Sequence, residues 1–363
     1  MKNPRETMIH GWEGSITNEE ENYPLNADEI KILKNIDGEA RPEIQDFSDV
    51  INKNEIERDT TWLGQQRNRK QEVVKTKRGE ILEHVIRHHA EMSDWLGDNC
   101  YTVETTEYDD RANHIDFIIE WEQEDGEAVR LAIDVTTTED PDVFDKKESL
   151  IKDEIEKGWL SRVKYFQSEI DETKGKIQNL PRAVIAVSKE NIQKLCGELI
   201  NKKPAELAKS PEQLLLLDEI GTQMTDQIEY SLKLLLENLY NYRNSLSEQQ
   251  KDELKNLAQA AIKLEDNPEE IQNVLKILKE QKNLIGQNIK NPAITKYINT
   301  ITQQEKVFAI TNKLYQQKSS SLDSLIIQQA AEQKQNNIIL KTVNLNLRDF
   351  HLPNKIHDLA LAA

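Results

Sequence analysis

Apolar residues change their spacing along this chain, and each change marks a different kind of element. From Met1 to Asp59 they are scattered among 15 acidic and 7 basic residues. This stretch reads as an acidic arm, flexible or partly helical, with one short helix expected at Asn26 to Lys34, where Asp28 and Glu29 load the first turn with acid. From Thr60 the pattern sharpens. Val73 to Trp95 predicts a helix, because Ile81, Leu82, Val85, Ile86, His89 and Met92 recur on one side, and Gly97 ends it. Asn99 to Tyr108 then alternates as a strand, and the acidic turn Tyr108 to His114 leads into a second strand, His114 to Trp121. Asp125-Gly126 is a hairpin signal before a third strand, Arg130 to Glu139. A long amphipathic helix is expected from Asp145 to Lys174, on Leu150, Ile151, Ile155, Leu160, Val163 and Phe166. After Pro181 the run RAVIAVS has the continuous apolar character of a central strand covered on both faces.

Beyond Asn191 the strand signal disappears. Leu214 to Leu246 carries apolar residues at helical spacing. Ser247 with Gln250 forms a capping box for a helix to about Leu264. Asn267-Pro268 and Asn291-Pro292 each place a capping Asn before a Pro suited to the first helical turn, and a last helix follows Ser319 to Ser321. The expected organisation is therefore an acidic arm (1–59), an α/β domain (60–191), an all-α helical bundle (192–337) and a tail (338–363) that adds a strand or docks on the bundle.

Charge changes this picture. The chain has 363 residues and a net charge of -18, so any nucleic-acid contact has to be a local basic patch in an acidic molecule. One such patch exists: Arg67, Arg69, Lys70, Lys75, Lys77, Arg78 and Arg87 stand against three Glu between 67 and 87. It is either a phosphate-contacting surface or a helix face that pairs with the acidic arm. The two cysteines, Cys100 and Cys196, lack zinc-ligand spacing and suit a reducing compartment. No apolar run has the length of a signal peptide or a membrane span, so a cytoplasmic protein without membrane contact is expected, with secretion lacking a cleaved signal as the alternative.

The candidate chemistry lies in two acids placed where strands seldom carry them. Asp134 shares a strand face with Thr136 while Leu131, Ile133 and Val135 take the other. Asp116 projects opposite to Ile115, Phe117, Ile119 and Trp121. Two strands that each offer one carboxylate can hold a hard divalent cation, Mg²⁺ or Mn²⁺. The competing readings are a structural salt bridge for Asp134 and a turn cap for Asp116.

The order α-β-β-β-α-β, Gly79-x-x-x-Glu83 on the first helix, Asp116 on the second strand and Asp134-x-Thr136 on the third resemble the PD-(D/E)XK nuclease superfamily, over about residues 60–191. The resemblance implies a restriction-endonuclease-like α/β core followed by the helical bundle. It also implies a metal-dependent nuclease acting on DNA rather than RNA, with Asp116 and Asp134 as metal ligands and Glu83, or Glu80 one turn earlier, assisting. The family's lysine would stand at 136, where this chain has Thr136. Lys147 and Lys146, early in the next helix, are the candidates to replace it. Arg67, Arg69, Lys70, Lys75, Lys77 and Arg78 would contact phosphates, and the helical part would bind a protein partner or a second copy of the chain. A defence, mobile-element or effector setting follows by fold-level analogy alone. The alternatives are an inactive nuclease fold serving as a binding platform, and a helical scaffold for which the α/β part is only support.

Overall fold

The structure, a computed structural model, describes residues 25–36, 41–68, 77–137, 141–267, 270–288, 291–322, 324–335, 340–341 and 352–361. In chain order the first half holds α1 (Ala27–Ile36), α2 (Lys53–Asn68), α3 (Lys77–Met92), β1 (Cys100–Glu104), α4 (Glu107–Asn113), β2 (Phe117–Glu122) and β3 (Ala128–Thr136). Next come α5 (Pro141–Glu156), β4 (Ser161–Gln167), β5 (Lys174–Leu180), β6 (Arg182–Val187), α6 (Lys189–Asn201) and α7 (Pro204–Leu207). The chain finishes with α8 (Glu212–Tyr242), α9 (Glu248–Asp266), α10 (Ile271–Asn288), α11 (Pro292–Ser321), α12 (Ser324–Gln335), β7 (Leu340–Lys341) and α13 (Asn354–Leu361).

The fold is mixed α/β. Four strands and the two-residue β7 form a sheet in the order β1-β2-β3-β6-β7, in which only the β3–β6 pairing is parallel. β6 is buried along its whole length, as its apolar run predicts. Ala183, Ile185 and Val187 join the main core, while Val184 and Ala186 pack with Ile151, Ile155 and Tyr230 on the opposite face. The helical region is built onto this sheet. One apolar cluster runs from Ile81 and Val85 through Phe117, Ile133 and Ile185 to Ile220, Leu254 and Ile298. Along the β6 edge α8 also replaces a neighbouring strand. Gln223 donates from Nε2 to the Val184 carbonyl (2.7 Å) and accepts at Oε1 from its N–H (2.9 Å), and Gln227 donates to the Arg182 carbonyl (2.8 Å).

Several expected features stand where the sequence placed them. The short N-terminal helix is present as α1, and the structure adds a reciprocal cap to it, Glu29 N donating to Asn26 Oδ1 (2.8 Å) and Asn26 N to Glu29 Oε2 (2.7 Å). Ser247 and Gln250 form the capping box of α9, and Asn291 accepts from Ala293 N at the start of α11. Pro268 lies outside the described residues, and the helix expected there is described from Ile271. The tail does both things considered for it: β7 pairs antiparallel with the end of β6, and Gln259 of α9 donates to the Ala360 carbonyl of α13 (2.9 Å). Among the described residues no helix is long and apolar enough to cross a membrane.

Two expectations are corrected. The helix predicted over 145–174 ends at Glu156, and the remainder is the β4–β5 hairpin. Gly158, at φ +64, takes the chain out of the helix. The misleading signal was the spacing of three between Val163 and Phe166. A register irregularity between them places both in one apolar cluster with Ile115, Ile118 and Ala132, so a bulged strand imitates a helix stripe. The strand expected to reach Tyr108 stops at Glu104, and the acidic turn after it is α4. Thr106 Oγ1 caps that helix by accepting from Asp109 N, and Glu107, Asp109 and Asp110 face its N-terminal dipole.

Candidate active site

The antiparallel register of β2 and β3 pairs Phe117 with Ile133, and one step further sets Asp116 opposite Asp134. Asp116 N donates to the Ile133 carbonyl (2.9 Å), and its side chain reaches across so that Oδ2 accepts from Val135 N (2.7 Å). Thr105, just past β1, donates from Oγ1 to the carbonyls of Ile115 (2.6 Å) and Asp116 (3.0 Å). The first acid is thereby fixed from both neighbouring strands.

Asp134 is 4% exposed, and Lys147 of α5, 5% exposed, donates from Nζ to Asp134 Oδ1. Oδ2 of the same carboxylate is buried with no hydrogen-bond partner. The Arg182 guanidinium is near, with Nη1 at 4.0 Å from Oδ2, but its donors are directed elsewhere. Nε donates to Ser161 Oγ (2.9 Å), Nη1 to the His114 carbonyl (2.6 Å), and Nη2 to the Asn113 carbonyl (2.8 Å) and Glu154 Oε1 (3.0 Å). Oδ2 therefore sits in a positive field without a donor, an arrangement that is costly for a buried oxygen. His114, in the left-handed conformation at φ 53, closes α4 beside this group. Burial holds its imidazole pKa down at about 4 against the opposing pull of Asp134, so the ring is neutral at pH 7.

A second group of acids adjoins the first. Glu83 is buried on α3. Arg41, from the segment before α2, donates from Nε to the Thr105 carbonyl (2.7 Å) and from Nη2 to Asp110 Oδ2 (3.1 Å), with Glu104 Oε1 3.9 Å away. Burial alone lowers the Arg41 pKa, and the carboxylates of Asp110, Glu83 and Glu104 more than offset this, raising it above the ordinary value. Arg87 also pairs with Glu104 (3.0 Å).

Of the residues singled out in the sequence, the structure brings Asp116, Asp134 and Lys147 together. Lys147 is the lysine that reaches Asp134; Lys146, its neighbour, is partly exposed. Thr136 lies two residues beyond Asp134 on β3, half-buried, opposite Ala186 in register. Glu80 is partly exposed one turn before Glu83. His84 and His88 stack on each other (5.8 Å), whereas His89 is buried against Trp95 (4.3 Å).

The described residues of the basic stretch do not form one surface. Arg67 pairs with Glu107 (Nε to Oε2, 3.0 Å), Lys77 is exposed, and Arg69, Lys70 and Lys75 lie outside the described residues. Arg78 corrects an expectation. It is buried in an ion pair with Glu29 of α1 (2.7 Å), because its side of α3 is where α1 packs, so it is not placed to contact phosphates. Arg41, Arg182 and His114 were not singled out in the sequence. A lone Arg opening a wholly apolar strand was an available signal for Arg182, but nothing local marked Arg41.

The donor set fits a hard cation that keeps most of its water. It offers two acids set opposite each other in strand register and a buried carboxylate oxygen without a hydrogen bond, and Mg²⁺ takes one or two carboxylates plus water and substrate oxygens. Among the described residues no three His, Cys, Asp or Glu side chains converge into a complete cage. No protein-family model, no curated protein and no solved structure matches this chain.

Proposed function

We propose that this chain is a metal-dependent phosphodiester hydrolase of the PD-(D/E)XK type, with DNA as the expected substrate. The observation that carries the reading is the Lys147–Asp134 contact, in which a lysine from α5 meets the second acid while Oδ2 keeps no hydrogen bond. A divalent cation held by Asp116 and Asp134, with Glu83 assisting, would neutralise phosphoryl charge and lower the pKa of a bound water. The chain's own groups do the rest. Lys147 holds Asp134 by one oxygen and places a positive charge beside the attacking water, the role the resemblance gives to a lysine at position 136. The Thr136 hydroxyl, two residues along the same strand face, supplies a further polar contact for that water. Arg182 fixes the main chain of His114 against β6, and Thr105 fixes that of Asp116. Arg67 and Lys77, with Arg69, Lys70 and Lys75, are the cations proposed to meet phosphates, and the helical region is proposed to contact a protein partner or a second copy.

One observation favours a second reading. Lys147 and Asp134 are both almost fully buried and already paired, as in a structural salt bridge, which suits a nuclease-fold platform without activity. Incubating supercoiled plasmid, single-stranded DNA and RNA with the protein and Mg²⁺ or Mn²⁺ separates the two. The hydrolase reading expects cation-dependent cutting that is lost in folded Asp116→Asn and Asp134→Asn variants. Absence of cutting on all three substrates, with no cation binding by calorimetry, would favour the platform.

A further inference from the structure

Among the described residues of the N-terminal segment, Arg41 is the cation that enters the acid group. It lies 64 residues before Thr105, whose carbonyl it contacts, and 69 before Asp110. The chain behind it is anchored: Ile44, Phe47 and Ile51 are buried in a cluster with Leu63 of α2 and Tyr165 of β4. A guanidinium on a short leash is thus held among Asp110, Glu104 and the Thr105 carbonyl, close enough to Glu83 for that charge to be felt. These groups connect to Asp116 and Asp134 through Thr105 and His114. Thr105 bonds the Asp116 carbonyl, and Asp110 and Asp134 both act on His114. Hard oxygens that cluster around a cation attract another cation for the same reason.

We propose that Arg41 is the resident counter-ion of this acid group and competes with a divalent cation for it, so that cation uptake and release of the guanidinium are coupled. The inference rests on the metal-dependent reading of the site given above. Coupling between two ligands of one site is reciprocal: if the guanidinium weakens cation binding, the cation weakens the hold on Arg41 by the same factor. Ile44, Phe47 and Ile51 keep the following segment in place, so the movement is confined to the Arg41 side chain.

The test uses the full chain and Mn²⁺ without nucleic acid. Calorimetry gives the Mn²⁺ Kd of wild type, Arg41→Gln, Arg41→Lys, Asp134→Asn and, as a control for net charge, Arg67→Gln, each with its melting temperature. Phenylglyoxal labelling of Arg41, read by mass spectrometry, follows the guanidinium in wild type with and without Mn²⁺. Competition predicts a Kd at least about 5-fold tighter for Arg41→Gln, a smaller change for Arg41→Lys, none for Arg67→Gln, and faster labelling of Arg41 when Mn²⁺ is present. If Asp134→Asn abolishes binding while Arg41→Gln leaves the Kd within twofold of wild type, or if Mn²⁺ leaves labelling unchanged, the inference falls and the metal reading stands. If neither wild type nor Arg41→Gln binds Mn²⁺, both fall together.

Discussion

Lys147 Nζ donates to Asp134 Oδ1 across a sequence separation of 13 residues, joining the first turns of α5 to the middle of the sheet. The pair is nearly sealed from solvent, so each charge depends on the other. Removing Lys147 strands a buried carboxylate, whereas replacing both partners with apolar groups removes the charge altogether. Lys147→Met should cost about 3–5 kcal/mol in urea unfolding at pH 7. The double variant Lys147→Met/Asp134→Leu should recover much of that loss. A loss in the double variant equal to the sum of the Lys147→Met and Asp134→Leu losses would show that the pair is not coupled.

Arg78 and Glu29 form the same kind of pair between α3 and α1. Arg78→Met should destabilise the protein by about 3–5 kcal/mol and raise amide exchange in α1. It should leave the salt dependence of any nucleic-acid binding unchanged, because the guanidinium is not on a surface. A reduced salt slope with stability intact would place Arg78 at a phosphate instead.

Gln223 closes the β6 edge with one amide. Gln223→Ala leaves the buried N–H and carbonyl of Val184 without partners and should cost about 2 kcal/mol or more. Hydrogen exchange of the Val184 amide should accelerate more than that of its neighbours in β6.

His89 gives the molecule a pH dependence of defined sign. Burial against Trp95 lowers its pKa to about 4, below the ordinary value of about 6.5 for an unfolded chain. The unfolded state therefore binds the proton first. The contribution of neutral His89 is complete above about pH 6.5 and is lost as pH falls towards about 4. His89→Phe keeps an aromatic ring on Trp95 and removes the titration. Wild type should lose stability relative to this variant between pH 7 and 4, and a constant difference across that window would contradict the assignment.

Much of this was legible in local patterns. The RAVIAV run fixes a buried strand because every position after Arg182 is apolar, and Asp134 stood out because it sits inside an apolar alternating run. The caps at Ser247 and Asn291 each lie within three residues of what they bond. The β4–β5 hairpin was hidden because its bulge gave Val163 and Phe166 a helix-like spacing. α4 was hidden because the acidic, polar stretch from Tyr108 to His114 reads as a turn until Thr106 is recognised as a cap. The contacts of Arg41 with Asp110 and of Arg182 with the His114 carbonyl span 69 and 68 residues. Nothing in the spacing of neighbours encodes such contacts; they follow from the fold as a whole.

The most direct test of the central claim moves the lysine. Single-turnover DNA cleavage with Mn²⁺ would be compared in wild type, Lys147→Met and Lys147→Met/Thr136→Lys, with Mn²⁺ binding and folding checked for each. A lysine serving the attacking water predicts a loss of roughly 100-fold or more in Lys147→Met, the scale of a lost proton-transfer group, and partial recovery when Thr136→Lys restores the charge two residues beyond Asp134. Cleavage by Lys147→Met at the wild-type rate, or no cleavage by wild type under any cation, would contradict it.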